Sequence, residues 1–186
     1  MMERTPWQNP WVRAVTTVLT LAVMVMIFCF SMENAEKSDR RSGVLSGSVI
    51  RLLCPEYDML DGDEQQAVFD RVQHIIRKCA HLTEYFILVF LIRLCLESWF
   101  GHRNQHGRIL AILGFGTGAL YACTDEAHQL TIDGRSGQWT DVLVDSCGVL
   151  AGIALGTLVI NRLKKDAAGT REENKTGENE DGLFQA

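Results

Sequence analysis

The sequence has no Cys-x-x-Cys pair, no zinc-finger spacing, no phosphate-cradling glycine-rich loop and no basic tract interleaved with aromatic residues. These gaps exclude the usual metal-finger, nucleotide-loop and nucleic-acid signatures. The formal charge of −5 points away from polyanions, so nucleic acid is not an expected partner. The six cysteines, Cys29, Cys54, Cys79, Cys95, Cys123 and Cys147, do not resemble a disulfide framework. Five of them fall within or at the ends of apolar runs, where Cys reads as a small buried hydrophobe. Cys54 stands in a polar stretch with only Cys79 or Cys123 as conceivable partners. No internal repeat is evident. Mean hydropathy near zero would not by itself mark a membrane protein.

That average conceals a partition. Apolar residues fill Ala14–Phe30, Phe86–Leu96, Ile109–Cys123 and Val142–Ile160, while charge gathers in Met32–Lys78 and after Asn161. A helix needs about 20 apolar residues to cross a hydrocarbon core about 30 Å thick. The pattern therefore predicts an all-α membrane bundle with four spans, near 12–31, 79–97, 109–124 and 139–160. Together they form one transmembrane domain over 1–163, followed by a polar tail, 164–186, expected to be disordered. Trp7 and Trp11 precede the first span, where amphipathic rings favour the interface. Phe30-Ser31-Met32-Glu33-Asn34-Ala35 offers no small-x-small cleavage site, so the first span reads as an uncleaved helix. Gly148, Gly152 and Gly156, four residues apart, read as positions where helices approach closely.

Four spans put both termini on one side. Arg4, Arg13, Arg103, Arg108, Arg162, Lys164 and Lys165 flank the helices there, and the positive-inside rule makes that side cytoplasmic. The long loop from Ser31 to Arg77 also holds basic residues, diluted by acids. Within it, Val44–Leu53 has the spacing of an amphipathic surface helix, and Asp63–Ile76 reads as an outward extension of the second span.

Charged residues inside spans are costly and mark candidate functional positions. Lys78, His81, Glu84 and Tyr85 share one face at the start of the second span. Asp125, Glu126 and Gln129 cover one turn at the end of the third, and Asp141 and Asp145 lie one turn apart at the start of the fourth. Alternating helix directions bring all three groups to the same membrane face. Arg93, in the other half, reads as a side chain snorkelling to the interface. His81, Glu84, Asp125 and Glu126 have the chemistry of general acids and bases. Lys78 and Arg135 suit an anion such as a lipid phosphate, and Tyr85, Gln129, Asp141 and Asp145 suit substrate binding and orientation. His81, Glu84, Asp125 and Glu126 are also metal-ligand types, but no dense motif such as HExxH accompanies them. No metal and no cofactor is assigned. Ser136, in Gly134-Arg135-Ser136-Gly137, reads as a turn residue.

Arg77-Lys78-Cys79-Ala80-His81-Leu82-Thr83-Glu84-Tyr85 resembles the RK-x-x-H-x-x-E-Y signature of the VanZ-like membrane proteins. Thr124-Asp125-Glu126-Ala127-His128-Gln129, then Gly134-Arg135, then Asp141 to Gly148, is similar to that family's later block, DE-x-x-Q, GR and D-x-x-x-N-x-x-G. Asp145 stands where many members have Asn, which adds a negative charge. The resemblance spans roughly Ala14–Ile160. It implies a multi-pass protein of the bacterial cytoplasmic membrane with cytoplasmic termini, and a part in tolerance of glycopeptide antibiotics, teicoplanin above all. It supplies no reaction. The expected partners are membrane lipids or lipid-linked cell-wall intermediates. Binding or modification of an anionic envelope lipid is the leading expectation. A non-enzymatic scaffold or shielding module, and a small transporter, are the rivals, the latter disfavoured because the polar residues do not continue through the membrane. Neither an enzyme nor an oligomeric state is fixed by the sequence.

Overall fold

The computed structural model describes residues 9–33, 35–101, 106–132 and 139–183, apart from the side chains of 35, 139–141 and 171–183. Five helices follow in order: α1 (Pro10–Ser31), α2 (Ala35–Leu53), α3 (Gly62–Phe100), α4 (Gly107–Gln129) and α5 (Trp139–Leu183), with a 3-10 turn at Tyr57–Met59. No strand occurs among the described residues. Four helices are long and apolar enough to cross a membrane: Pro10–Ser31, Gly62–Phe100, Gly107–Gln129 and Val142–Thr170 of α5.

Local chemistry sets the ends of these helices. Asn9 caps α1 by accepting from the Trp11 amide at 3.0 Å, and Pro10, which has no amide proton to satisfy, opens the first turn. Thr16 and Thr20 return their hydroxyls to carbonyls of their own helix, at 2.8 and 2.7 Å, so neither leaves an orphan donor in an apolar setting. Asp61 and Glu64 start α3 with reciprocal side chain to backbone bonds of 2.8 and 3.4 Å. With 39 residues, α3 is about 58 Å long, well beyond the hydrocarbon thickness. Its first turns are the outward extension expected for Asp63–Ile76.

That extension carries α2. Arg77 reaches Asp39 at 2.8 Å, and Gln73 donates to the Asp39 carbonyl at 2.9 Å and to the Ser42 hydroxyl at 3.0 Å. The amphipathic Val44–Leu53 is the second half of this longer helix, with Val44, Leu45, Leu52 and Leu53 exposed. The chain after Ser31 is thus a helical arm folded onto α3.

The α3–α5 contact is the closest in the bundle. A Cβ added at Gly148 would stand 2.3 Å from the Leu82 carbonyl oxygen, and one at Gly152 would stand 2.5 Å from that of Phe86. The glycine stripe therefore serves backbone approach, as its spacing predicted. Around it Ile27, Tyr85, Leu88, Val89, Ile92, Ala122 and Val149 form the core. Val18, Leu21, Ile112, Leu120, Leu150 and Leu158 point outward, as befits helices solvated by lipid rather than water.

One sequence expectation is corrected here. The cysteines of the apolar runs are not buried: Cys29, Cys79, Cys123 and Cys147 are exposed, Cys54 and Cys95 half-buried, and all six are free thiols. An apolar run in a membrane helix turns much of its surface to lipid, so apolarity there does not imply burial within the chain. Beyond Leu163, α5 continues as helix to Leu183. Ala167, Ala168, Glu172, Glu173 and Lys175 are strong helix formers that extend an already nucleated helix.

Cross-helix contacts define two ends. At one, Arg13 donates to the Ser98 carbonyl at 2.9 Å, Trp99 donates to Thr17 at 3.1 Å and Lys164 meets Glu97 at 2.6 Å. This is the termini end. At the other, the Tyr121 hydroxyl donates to the Met24 carbonyl at 2.6 Å and Ser31 lies 3.4 Å from His128. This is the loop end.

Candidate functional site

The loop end gathers polar residues from three helices, in two distinct settings. The first is buried. Tyr85 of α3 is fully enclosed, and Asp125 of α4 and Asp145 of α5 face it with only 7% and 4% exposure. Gln129 donates to Asp125 at 3.0 Å, and the rings of Tyr85 and Tyr121 lie 6.4 Å apart. Tyr85 projects from α3, Asp125 and Gln129 from α4 and Asp145 from α5, so the set draws on three helices. The Tyr85 hydroxyl is buried there with no hydrogen-bond partner among the described residues, a costly arrangement in an apolar interior that marks the position as more than packing.

The second setting is open. His81 Nδ1 lies 3.7 Å from Glu84 Oε2 on successive turns of α3. Both residues line a cleft of about 270 Å³, walled also by Phe30 and Glu33 at the exit of α1 and by Arg41, Leu45, Ile76 and Arg77. Arg41 pairs with Glu33 and lies over the Phe30 ring, 4.4 Å from its centroid. Arg77 pairs with Asp39. A guanidinium has five donors, and one nitrogen of each arginine makes the ion pair described, so donors remain for an anion. The cleft thus combines an acid–base pair, two forked cations and an apolar wall.

The sequence-predicted residues divide accordingly. His81 and Glu84 line the open cleft, while Tyr85, Asp125, Asp145 and Gln129 form the buried set. Lys78 and Glu126 are half-buried at the same end and are not among the cleft's lining residues. Asp141 lies in the first turn of α5 with its side chain outside the described residues, and Arg135 and Ser136 lie outside them altogether. Among the described residues, no three His, Cys, Asp or Glu side chains are grouped so as to hold a metal ion.

Sequence reasoning passed over Arg41, Glu33 and Phe30. They come from either side of the α1–α2 bend, and no periodicity links them. Arg77 was visible within the signature segment but not singled out, because only the structure shows it lining the cleft one turn before His81 on α3.

The reading of Arg93 is corrected. It does not snorkel to water: it is 1% exposed and bonds Glu97 at 2.9 Å and Thr157 at 3.3 Å. Glu97 is 2% exposed and also holds Lys164. The termini end therefore has a polar centre of its own. The i, i+4 pairing of Arg93 with Glu97 was its sequence signal.

The family model described as VanZ/LLP1 matches residues 16–160, a stretch that takes in every described residue of both loop-end settings and also Arg93 and Glu97. No curated protein and no solved structure matches the chain. With the signature residues placed on the faces of α3, α4 and α5 that meet at one end of a four-span bundle, the chain belongs to the VanZ-like family of membrane proteins.

Proposed function

We propose that the loop-end cleft binds an anionic envelope lipid or lipid-linked cell-wall intermediate, and that the protein thereby contributes to tolerance of teicoplanin. The observation that carries this reading is the cleft itself, where Arg41 and Arg77 stand beside His81 and Glu84 and against Phe30, Leu45 and Ile76. An amphipathic ligand needs both parts. The guanidinium forks recognise a phosphate or carboxylate, and the apolar wall takes the first methylenes of its chain. His81 and Glu84 add a site for proton transfer to or from the bound headgroup. On this reading the loop end faces outward and both termini are cytoplasmic, in keeping with the basic residues that flank the spans on the termini side.

Teicoplanin and vancomycin susceptibility, measured in a sensitive bacterial host, tests the proposal. Wild type, His81→Ala and Arg77→Gln are compared at membrane levels matched by immunoblot. Tolerance from wild type alone, with lipid binding weakened in both variants, is the expected result. Equal tolerance from all three, with no lipid binding by purified protein, would sink it.

A second reading is favoured by the buried set. Tyr85, Asp125, Asp145 and Gln129 suit polar fastening between helices as well as chemistry, which is what a scaffold or shielding module would need. It expects Asp125→Asn to lower function only in proportion to lost folded protein.

A further inference from the structure

At the termini end, remote from the loop-end cleft, Arg93, Arg108, Lys164 and Lys165 line a cavity of about 710 Å³ together with Gly107, Ala111, Thr157 and Asn161. The charges are unevenly matched. Glu97 binds Arg93 and Lys164. Among the described residues, Arg108 and Lys165 make no ion pair. Four cations around one carboxylate leave a positive excess that a bound anion would neutralise.

A second feature points the same way. The cavity includes Gly107, the first residue of α4, and His106 before it makes no side-chain cap. The opening amides of α4 therefore lie at the cavity with the positive end of the helix dipole behind them. An uncapped helix start, two cations with no carboxylate partner and the hydrogen-bonding side chains of Thr157 and Asn161 make a receptor for a tetrahedral oxyanion.

We infer that this cavity is a binding site for a phosphate group, carried by the headgroup of an anionic phospholipid or by a soluble phosphate compound. Its surroundings suit a headgroup. Arg108 is followed at once by Ile109 and, one turn on, by Ile112, both exposed, and Leu163 is exposed beside Lys164. A lipid phosphate in the cavity could keep its acyl chains along that apolar surface. Basic cavities between helices at a membrane face are natural headgroup sites. The inference does not depend on the loop-end reading, since no residue is shared between the two sites.

The detergent-solubilised full chain is titrated with phosphatidylglycerol, with phosphatidylcholine and with sodium phosphate. Bound adducts are read by native mass spectrometry and stabilisation by thermal denaturation. Wild type is compared with the double variant Arg108→Gln/Lys165→Gln, which leaves the Arg93–Glu97–Lys164 cluster intact, and with Arg162→Gln, which removes an exposed charge outside the cavity. The expected result is preferential binding of phosphatidylglycerol over phosphatidylcholine, weakened about tenfold or more in the double variant and unchanged in Arg162→Gln. Stabilisation by phosphatidylglycerol but not by sodium phosphate supports the site with a lipid as its source. Equal stabilisation by sodium phosphate supports the site with a soluble anion as its source. No preference for an anionic ligand, or the same weakening in Arg162→Gln as in the double variant, would overturn the site and leave only diffuse charge attraction. A variant that loses its ligand-free melting temperature is replaced by Arg108→Lys, which keeps the charge and removes the fork, and which is expected to weaken phosphate binding by a smaller factor. Undiminished binding in that variant would overturn the role of Arg108.

Discussion

The ion pairs at the two ends of the bundle sit in opposite surroundings. At the loop end, His81, Glu84, Arg41 and Arg77 border an open cleft, and the Arg41–Glu33 and Arg77–Asp39 ion pairs are partly solvated. At the termini end, Arg93 and Glu97 are sealed between α3 and α5, and Lys164 closes over them. A solvated pair is nearly neutral for stability because water competes for both partners. A buried pair is different, since removing one partner strands a charge where nothing else can solvate it. The family match covers both settings, and the burial of each charge separates a group that can meet a ligand from one that holds helices in place.

The strongest way to break this comparison is Glu97→Gln. It leaves Arg93 buried without its carboxylate and should cost about 3–5 kcal/mol, seen as a large fall in melting temperature and membrane yield. His81→Ala at the loop end should stay within about 1 kcal/mol, because that pair is long and partly exposed. If the two variants melted alike, the contrast between the ends would be lost. Next in size is Gly152→Leu. Its first side-chain carbon would meet the Phe86 carbonyl oxygen at 2.5 Å, so α5 must shift from α3, at about 1–3 kcal/mol or more. Gly116→Leu is the matched control, since nothing lies within 4 Å of a Cβ there, and it should be close to neutral. Smaller again is Gln129→Met, which removes the donor to Asp125 and should cost about 1–2 kcal/mol in thermal denaturation of the purified protein.

How far the sequence carried this picture depends on the kind of signal. The four spans were legible because length and apolarity are properties of contiguous residues, and the glycine stripe because its spacing equals about one helical turn. The shared level of Tyr85, Asp125 and Asp145 was legible too, since alternating helix directions fix which ends meet. The division of that group into a buried set and an open cleft was not legible. Tyr85 and His81 are one turn apart on α3, and only the packing of α4 and α5 decides which is covered. Arg41 and Glu33 escaped notice because the bend between α1 and α2 brings them together. Arg93 was misread because a lone cation near a helix end suggests snorkelling unless its carboxylate and its neighbour on another helix are considered together.

The smallest expected change in stability is also the most informative about function. Arg77 bonds Asp39 at 2.8 Å with both side chains nearly half exposed, so Arg77→Gln should cost no more than about 1 kcal/mol. Arg40→Gln is its control: the Arg40–Glu36 pair is longer, at 3.7 Å, and almost fully exposed, and Arg40 does not line the cleft. The two substitutions remove the same charge from the same end of the bundle, Arg40 on α2 and Arg77 on α3. If the cleft recognises an anionic headgroup, Arg77→Gln should reduce lipid binding about tenfold and Arg40→Gln should leave it unchanged, at equal melting temperatures. Arg77→Lys separates charge from shape, because an ammonium keeps the attraction and loses the two-pronged geometry; binding midway between wild type and Arg77→Gln would assign part of the recognition to the fork. Equal binding in all four proteins would mean that the arginines of this end serve only to fasten α2 to α3, and the difference between the two ends would then be one of burial without one of purpose.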